Sequence, residues 1–325
     1  MGVEVYGGAL LNSWLDRDLG LSGRVVVGDS ASHESHLIHI DKPLLRVAQL
    51  AIHLDRDVND GLKLDRQAHL VPIWGLGQTE EGAFRSFLAT ELGVNDTEVL
   101  SWDMMCHDLT PSSPLGRNEE FYAAPRIDNL ASCHAALEAL RDIESVASNT
   151  ISAVVLFDHE EIGSESSTGA RGPMLSHALE RIAGTRAVSR EQFLRSLSRS
   201  ACISADGAHA VHPNYVDRHE PEHQVVLNGG PVIKLNANVR YATDAESSAV
   251  AQSACRSAGV PFQQYAHRSN LPCGSTIGPI TASQLGMLVV DIGSPQLSMH
   301  SAREMAGASD PAYLTAALKA FLSDG

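Results

Sequence analysis

The spacing of hydrophobic residues changes character partway along the chain. Before residues 108–118, short strand-like runs dominate, such as Arg24-Val25-Val26-Val27 and Leu50-Ala51-Ile52-His53-Leu54. After them, strands alternate with helices. Ile151-Ser152-Ala153-Val154-Val155-Leu156-Phe157 and Met287-Leu288-Val289-Val290-Asp291-Ile292 are near-continuous apolar runs, the pattern of strands covered on both faces. Residues 129–143 place Leu130, Cys133, Leu137 and Leu140 three and four apart, which predicts a helix. Thr243 and Glu246 make a capping-box pattern for a helix ending at Gly259. Asp310-Pro311 opens a last helix with a cap and a first-turn proline. The intervening stretch Asp108-Leu109-Thr110-Pro111-Ser112-Ser113-Pro114-Leu115-Gly116 collects Pro, Ser and Gly, so the boundary is expected there. The expected fold class is α/β, a mixed sheet covered by helices on both faces in residues 113–325, with a smaller β-rich domain in residues 1–112.

Composition narrows the choice of partner. The chain has 325 residues and 43% hydrophobic positions, enough for a substantial core. Its net charge of −15 argues against nucleic acid and against an anionic membrane surface, both of which call for clustered positive charge. No apolar stretch approaches the ~20 residues that span a bilayer, and Met1-Gly2-Val3-Glu4-Val5-Tyr6 has no leader-like pattern. Five cysteines, an odd number with no C-x-x-C spacing, argue against a disulfide framework or a zinc knuckle. A reducing, cytoplasmic setting is the expectation.

Acidic residues then concentrate at predicted element ends. Asp128 precedes the helix beginning near Asn129. Asp158, Glu160 and Glu161 follow the run ending at Phe157. Asp206 follows Ala201-Cys202-Ile203-Ser204-Ala205, and His300 lies a few residues beyond Ile292. Groups at the carboxyl ends of strands share a rim in open α/β sheets. Carboxylates gathered there repel one another unless cations hold them. Asp, Glu and His together suit zinc, manganese or cobalt. Neighbouring Glu160 and Glu161 point to different sides of an extended or turning segment, so one can hold a metal while the other faces water. Taken singly, each residue also has a plainer reading. A Glu-Glu pair is usually solvated surface, and an Asp before a helix is usually its cap.

The motifs Pro125-Arg126-Ile127-Asp128-Asn129-Leu130, Asp158-His159-Glu160-Glu161-Ile162-Gly163-Ser164 and Ser204-Ala205-Asp206-Gly207-Ala208-His209 resemble the aspartyl aminopeptidase family. So do Gly230-Pro231-Val232-Ile233-Lys234, Arg240-Tyr241-Ala242-Thr243, Leu271-Pro272-Cys273-Gly274-Ser275-Thr276-Ile277-Gly278-Pro279 and Pro295-Gln296-Leu297-Ser298-Met299-His300-Ser301. Tyr6-Gly7-Gly8, Trp14 with Asp16-Arg17-Asp18-Leu19, and Ala51-Ile52-His53-Leu54 extend the likeness through residues 1–112.

The resemblance implies a metal-dependent aminopeptidase that removes acidic residues, Asp or Glu, from peptide N-termini. It implies two divalent ions, zinc, with manganese or cobalt as alternatives. Asp128 would bridge them, Glu161 and His300 would complete one site, and Asp206 would bind the other ion. Glu160 would be the general base. His209 and Tyr241 would line the pocket, Lys234 would meet the substrate's acidic side chain, and His53 would reach a neighbouring subunit's active site. The β-rich domain would serve oligomerisation, with a dodecamer as the family's assembly. Members of that family also carry an earlier His-Thr-Asp-Ser-Pro motif, whose His is a further ligand of the Asp206 metal. This sequence contains no such motif, so one site is expected to lack a ligand. The competing expectation is a non-catalytic or impaired truncated paralogue, or a fragment, that keeps the assembly surface. A related amidohydrolase with another substrate is a third.

Several patterns are set aside. His33, His36 and His39 are evenly spaced but alternate faces poorly for a shared metal. Asp55, Asp57 and Asn59 begin like a calcium loop, which fails at Asp60 and Arg66. Gly274-Ser275-Thr276-Ile277-Gly278 lacks the central Ser of a nucleophile elbow and is expected to be a tight turn. Cys273 beside it is expected to be a structural thiol.

Overall fold

The computed structural model describes residues 1–77, 80–146, 149–275 and 277–324. The chain divides into two compact units. One comprises Met1–Val5 with Ala9–Pro111, the other Tyr6–Gly8 with Ser112–Gly325.

In the first unit, β1 (Leu19–Gly28) is the centre of a three-stranded antiparallel sheet, flanked by β2 (His33–Leu45) and β3 (Val99–Asp108). The strand period of two sorts β1. Leu19, Leu21, Val25 and Val27 are buried on one face, and Gly20, Ser22 and Arg24 alternate onto the other. Helix α1 (Ala83–Leu92) brings Leu88 and Ala89 against Val25, Val27 and Val99. The stretch Leu50–Leu54 is not a strand. It turns at 52–54 with Leu50, Ile52 and Leu54 exposed, because its backbone closes a local turn, Leu54 N–H to Ala51 O, instead of a ladder.

Among its described residues, the second unit contains two sheets. β4 (Ser113–Leu115) and β5 (Phe121–Ala124) lead into α2 (Ile127–Arg141). α3 (Met174–Thr185) and α4 (Arg190–Leu197) precede β6 (Ala201–Ala205) and β7 (Ala208–His209). Then come β8 (Val232–Leu235), α5 (Ala245–Ser257), β9 (Gln263–Ala266), α6 (Ile277–Leu285), β10 (Leu288–Gly293), β11 (Pro295–Leu297), β12 (Glu304–Gly307) and α7 (Asp310–Asp324). The sheets have orders β6-β10-β8-β9 and β4-β5-β12-β11-β7. The first is mixed: β10 runs parallel to β6 and antiparallel to β8, and β8 parallel to β9. Val290 and Ile292 of β10 face a core built with Ala135 and Ala139 of α2, Ala251 of α5, and Leu314, Leu318 and Leu322 of α7. Asp291 points to the opposite face, where the start of α6 lies close against its carboxylate. Helices therefore cover both faces, as the apolar run of β10 predicts.

Two strand pairs cross from one sheet to the other. β6 continues into β7, and β10 into β11, with parallel pairing on both sides of the break. The break sets Asp206-Gly207 beside Gly293-Ser294, and Asp206 N–H still donates to Ile292 O at 2.9 Å.

At three places the structure departs from the pattern along the chain. Residues 151–157 form no ladder with any described strand. Val154 packs onto the core while Ile151, Val155 and Leu156 are exposed. Hydrophobicity fits a strand to a core, but a strand exists only through its pairing. Helix α2 buries Ser132, Ala135 and Ala139 and leaves Leu130 55% and Leu137 49% exposed. The small residues face α7, where they let the two helices approach closely, and that displaces the leucine stripe outward. The cap of α5 is Asp244, one residue later than expected. Its carboxylate accepts from Ser247 N at 2.7 Å, while Thr243 Oγ1 accepts from Asp291 N at 2.9 Å. Asp310 opens α7 as anticipated, with its carboxylate accepting from the Asn228 and Gly230 N–H groups. The expected turn at 274–278 includes Thr276, which lies outside the described residues.

Candidate active site

The site is built where four connections of the second unit meet. Asp128 comes from the turn joining β5 to α2, and Glu160 and Glu161 from a single helical turn, Glu160–Ile162. Asp206 sits at the break after β6, and His300 in the link from β11 to β12. One carboxylate oxygen of Asp128, one of Glu161 and a ring nitrogen of His300 all lie within 4.8 Å of one another. His300 Nε2 is 3.4 Å from Asp128 Oδ2 and 3.2 Å from Glu161 Oε2. Its other nitrogen, Nδ1, is 3.2 Å from Gly8 O.

The local backbone is bent to bring these groups in. Arg126 (φ 56), His159 (φ 64) and His300 (φ 66) all occupy the left-handed region without being glycine. Each such residue costs on the order of 1–3 kcal/mol, which the surrounding packing must offset. Gly207 supplies close approach: a Cβ there would lie 3.1 Å from Asp128 Oδ1 and 2.9 Å from Met299 Cε.

Electrostatics set the character of the cluster. Burial, and then the charges of Asp206 and Glu161, push the Glu160 carboxyl up to about 7. Burial and Asp128 do the same for Glu161, also to about 7. Burial raises Asp206 to about 6 even though Lys234 Nζ stands 3.3 Å from its Oδ2. Burial opposes ionisation of Asp128, but hydrogen bonds with His300 and Asp206 outweigh it and hold its pKa below the ordinary value. The Asp128 contact lifts His300 to about 9 against desolvation. Three carboxyls that hold protons this tightly, around a fourth kept ionised, mark a site short of positive charge. Asp128 Oδ1 is also buried with no hydrogen-bond donor. A divalent cation remedies both, and the oxygen-and-imidazole donor set suits zinc, manganese or cobalt.

The remaining expected residues fall into two groups. Lys234, only 3% exposed, faces the Tyr241 ring with Nζ 5.4 Å from its centroid. His209 stacks edge-on against Tyr265, 6.1 Å between centroids, and keeps one edge open to solvent. Desolvation and the Lys234 charge push His209 down to about 4, so it is neutral. Tyr241 is buried, and burial together with a hydrogen bond to Cys273 raises its hydroxyl well above the usual range. His53 does not join them in this unit; it lies on the exposed turn at 52–54 of the first unit.

Sequence reasoning missed Glu304. It is 2% exposed, and its two oxygens accept from Asp128 N at 2.9 Å and His300 N at 2.6 Å. It thereby ties the backbones of two ligand candidates together. The one available signal was an acid on the short strand four residues past His300. Tyr6 also lies beside the cluster: burial, then the charges of Glu161, Asp158 and Glu160, raise its hydroxyl.

A mixed sheet between helices, with carboxylates and an imidazole converging past strand ends, defines a metal-dependent hydrolase of the α/β kind. Comparison with known proteins gives the family. Residues 1–322 match the aminopeptidase I zinc metalloprotease (M18) family, and the chain belongs to it. A probable M18 family aminopeptidase 2 of Streptomyces coelicolor is 50% identical over 99% of this chain and 75% of its own length. Among solved structures, Ape4 in its complex with Nbr1 is similar at 37% identity and TM-score 0.92, over 99% of this chain and 66% of that one. The S. cerevisiae mApe1 dodecamer is similar at 28% identity and TM-score 0.80, over 97% of this chain and 71% of that one. The chain thus spans between about two thirds and three quarters of the length of these relatives.

Proposed function

We propose that this chain is a metal-dependent aminopeptidase that releases acidic residues from peptide N-termini. The observation that carries the reading is the convergence of Asp128, Glu161 and His300 within 4.8 Å, with Glu160 in the same turn as Glu161. Asp128, Glu161 and His300 would hold one divalent ion, and Asp128 with Asp206 would contribute to a second. Zinc is the metal in keeping with the family. Bound there, it supplies a Lewis acid for the scissile carbonyl and makes water more acidic. Glu160 acts as general base. Its oxygen takes a proton from the attacking water, whose oxygen bonds to the carbonyl carbon. The same proton then passes to the departing amine as the C–N bond breaks. His209, neutral, and the Tyr241 hydroxyl offer hydrogen bonds around the reacting carbonyl.

Acidic selectivity would come from Lys234. A largely buried ammonium stabilises a carboxylate partner by about 1.5–3 kcal/mol. A second reading rests on the Lys234–Asp206 pair at 3.3 Å, in which Lys234 serves as counter-ion to Asp206 and selects nothing. Lys234→Met separates the two, with kcat/KM measured on peptides led by Asp, Glu, Ala and Leu. Selectivity predicts that acidic substrates lose about 10- to 150-fold while the others change little. An equal loss for both classes would leave the counter-ion reading.

The same proposal includes self-assembly, supported by the dodecamer of mApe1, with the first unit as the assembly element and His53 reaching a neighbouring subunit. A cytoplasmic setting accords with the five free cysteines, and no described helix is long and apolar enough to cross a membrane. The alternative, a non-catalytic chain that keeps the assembly surface, predicts oligomers that bind metal but release no amino acid.

A further inference from the structure

We propose that His39, Asp41 and His107 form a second kind of metal site, on the β-rich unit, for a divalent transition-metal ion. It uses none of the residues of the catalytic cluster and does not rest on the aminopeptidase reading. Each of the three offers one ligand atom, and those atoms lie within 4.8 Å of one another. Two imidazoles and one carboxylate form the facial donor set that favours zinc, cobalt, nickel or iron(II) over calcium and magnesium.

The sheet explains how residues from its two outer strands meet. His39 and Asp41 are two apart on β2, so both project from the same face, the one opposite Ile40 and the apolar core. His107 is on β3, with β1 in between. Its partner across the ladder is Gly20. A Cβ at Gly20 would lie 2.7 Å from His107 Nε2, and 2.5 Å from Ile40 O. The bare backbone of the central strand therefore lets the His107 ring lie across it and reach β2. There it stacks on His39, with centroids 4.7 Å apart and planes 15° from parallel.

Orientation also fits a ligand. His107 is 8% exposed, and its Nδ1 is 3.2 Å from Ser22 Oγ. Ligating histidines are characteristically held in this way through the nitrogen that does not bind the metal. With metal–ligand bonds of about 2.1 Å, ligand atoms sit roughly 3.3 Å apart. The present separation therefore closes by about 1.5 Å at most, and the His39 ring turns out of its stack on His107 so that the in-plane lone pairs of both rings meet on one ion. The exposed side chains of His39 and Asp41 have the freedom to make that adjustment around a fixed His107. The evenly spaced His33, His36 and His39 could not have indicated this, because the true companions of His39 come from the next residue but one and from a strand more than sixty residues on. Bound metal would clip β2 to β3 across β1.

The test counts zinc in the intact chain. Chelator-stripped protein is equilibrated at fixed free zinc, set by a competing chromophoric chelator, and bound metal per chain is measured by mass spectrometry. Asp41→Asn and His39→Ala alter exposed side chains and leave the packing intact; His107→Ala removes the buried ligand. Each variant should bind one ion fewer than the parent, and cobalt loading should show the matching loss of d–d absorption. Glu161→Gln should lower the count independently, so that its combination with Asp41→Asn loses both. If Asp41→Asn and His39→Ala bind as much zinc as the parent, the site does not exist, whatever His107→Ala does to folding.

Discussion

Replacing Glu304 with Gln tests how the metal ligands are positioned. The Glu304 carboxylate accepts from Asp128 N at 2.9 Å and from His300 N at 2.6 Å, inside a nearly sealed site. Gln keeps the shape but has one acceptor. Its oxygen can serve only one of the two N–H groups, and its NH2 then faces the other donor. A hydrogen bond to a charged acceptor is worth about 1.5–3 kcal/mol, and the unpaired N–H adds to the loss. Because Asp128 and His300 are both candidate ligands, the loss appears as misplacement of donors. Metal affinity should fall about 10- to 100-fold, the range typical of groups that support ligands from behind. Zinc dissociation constants of stripped parent and Glu304→Gln, measured against a competing chelator, give the effect. Thermal unfolding of both proteins in chelator separates general destabilisation from ligand misplacement. Unchanged zinc affinity in a variant that unfolds at the parent's temperature would refute the positioning argument.

Two further outcomes are expected. Glu160→Gln should lower kcat by about 10²- to 10⁴-fold with bound metal unchanged, since Gln nearly matches Glu in shape but cannot take the proton; loss of metal instead would make Glu160 a ligand and reverse its role with Glu161. Zinc affinity should rise with pH between about 6 and 9, because metal must displace the proton of His300, raised to about 9 by Asp128, and that of Glu161, raised to about 7 by burial. The sign follows from which form binds: both groups ligate only when deprotonated, so raised pKa values extend proton competition upward, by about tenfold per pH unit for each proton released. A flat affinity across that range would show that these groups do not ligate.

Much of the fold was legible where local pattern and tertiary pairing agree. β1, β10 and α7 follow from a valine run, an apolar run and an Asp-Pro start. The pattern misled where only a partner decides. Residues 151–157 carry strand-like hydrophobicity without a ladder, and α2 turns alanines inward because α7 approaches closely. In the candidate site, Asp128, Glu161 and His300 stood out as acids and a histidine at element ends, and the structure brings them together. Glu304 did not stand out, because a single acid on a four-residue strand looks like surface until its burial is seen. His39, Asp41 and His107 were illegible as a set, since only the order β2-β1-β3 and the bareness of Gly20 join them.

Hydrolysis, on the proposed function, depends on metal held by Asp128, Glu161 and His300. The most direct test follows release of the first residue from an Asp-led peptide by chelator-stripped chain as zinc is added back, with bound metal counted in the same samples. Stripped protein should release nothing, and the rate should climb with occupancy in the parent but stay at background in His300→Ala at the same free zinc. Release that survives stripping, or a His300→Ala titration that overlays the parent's, would contradict it.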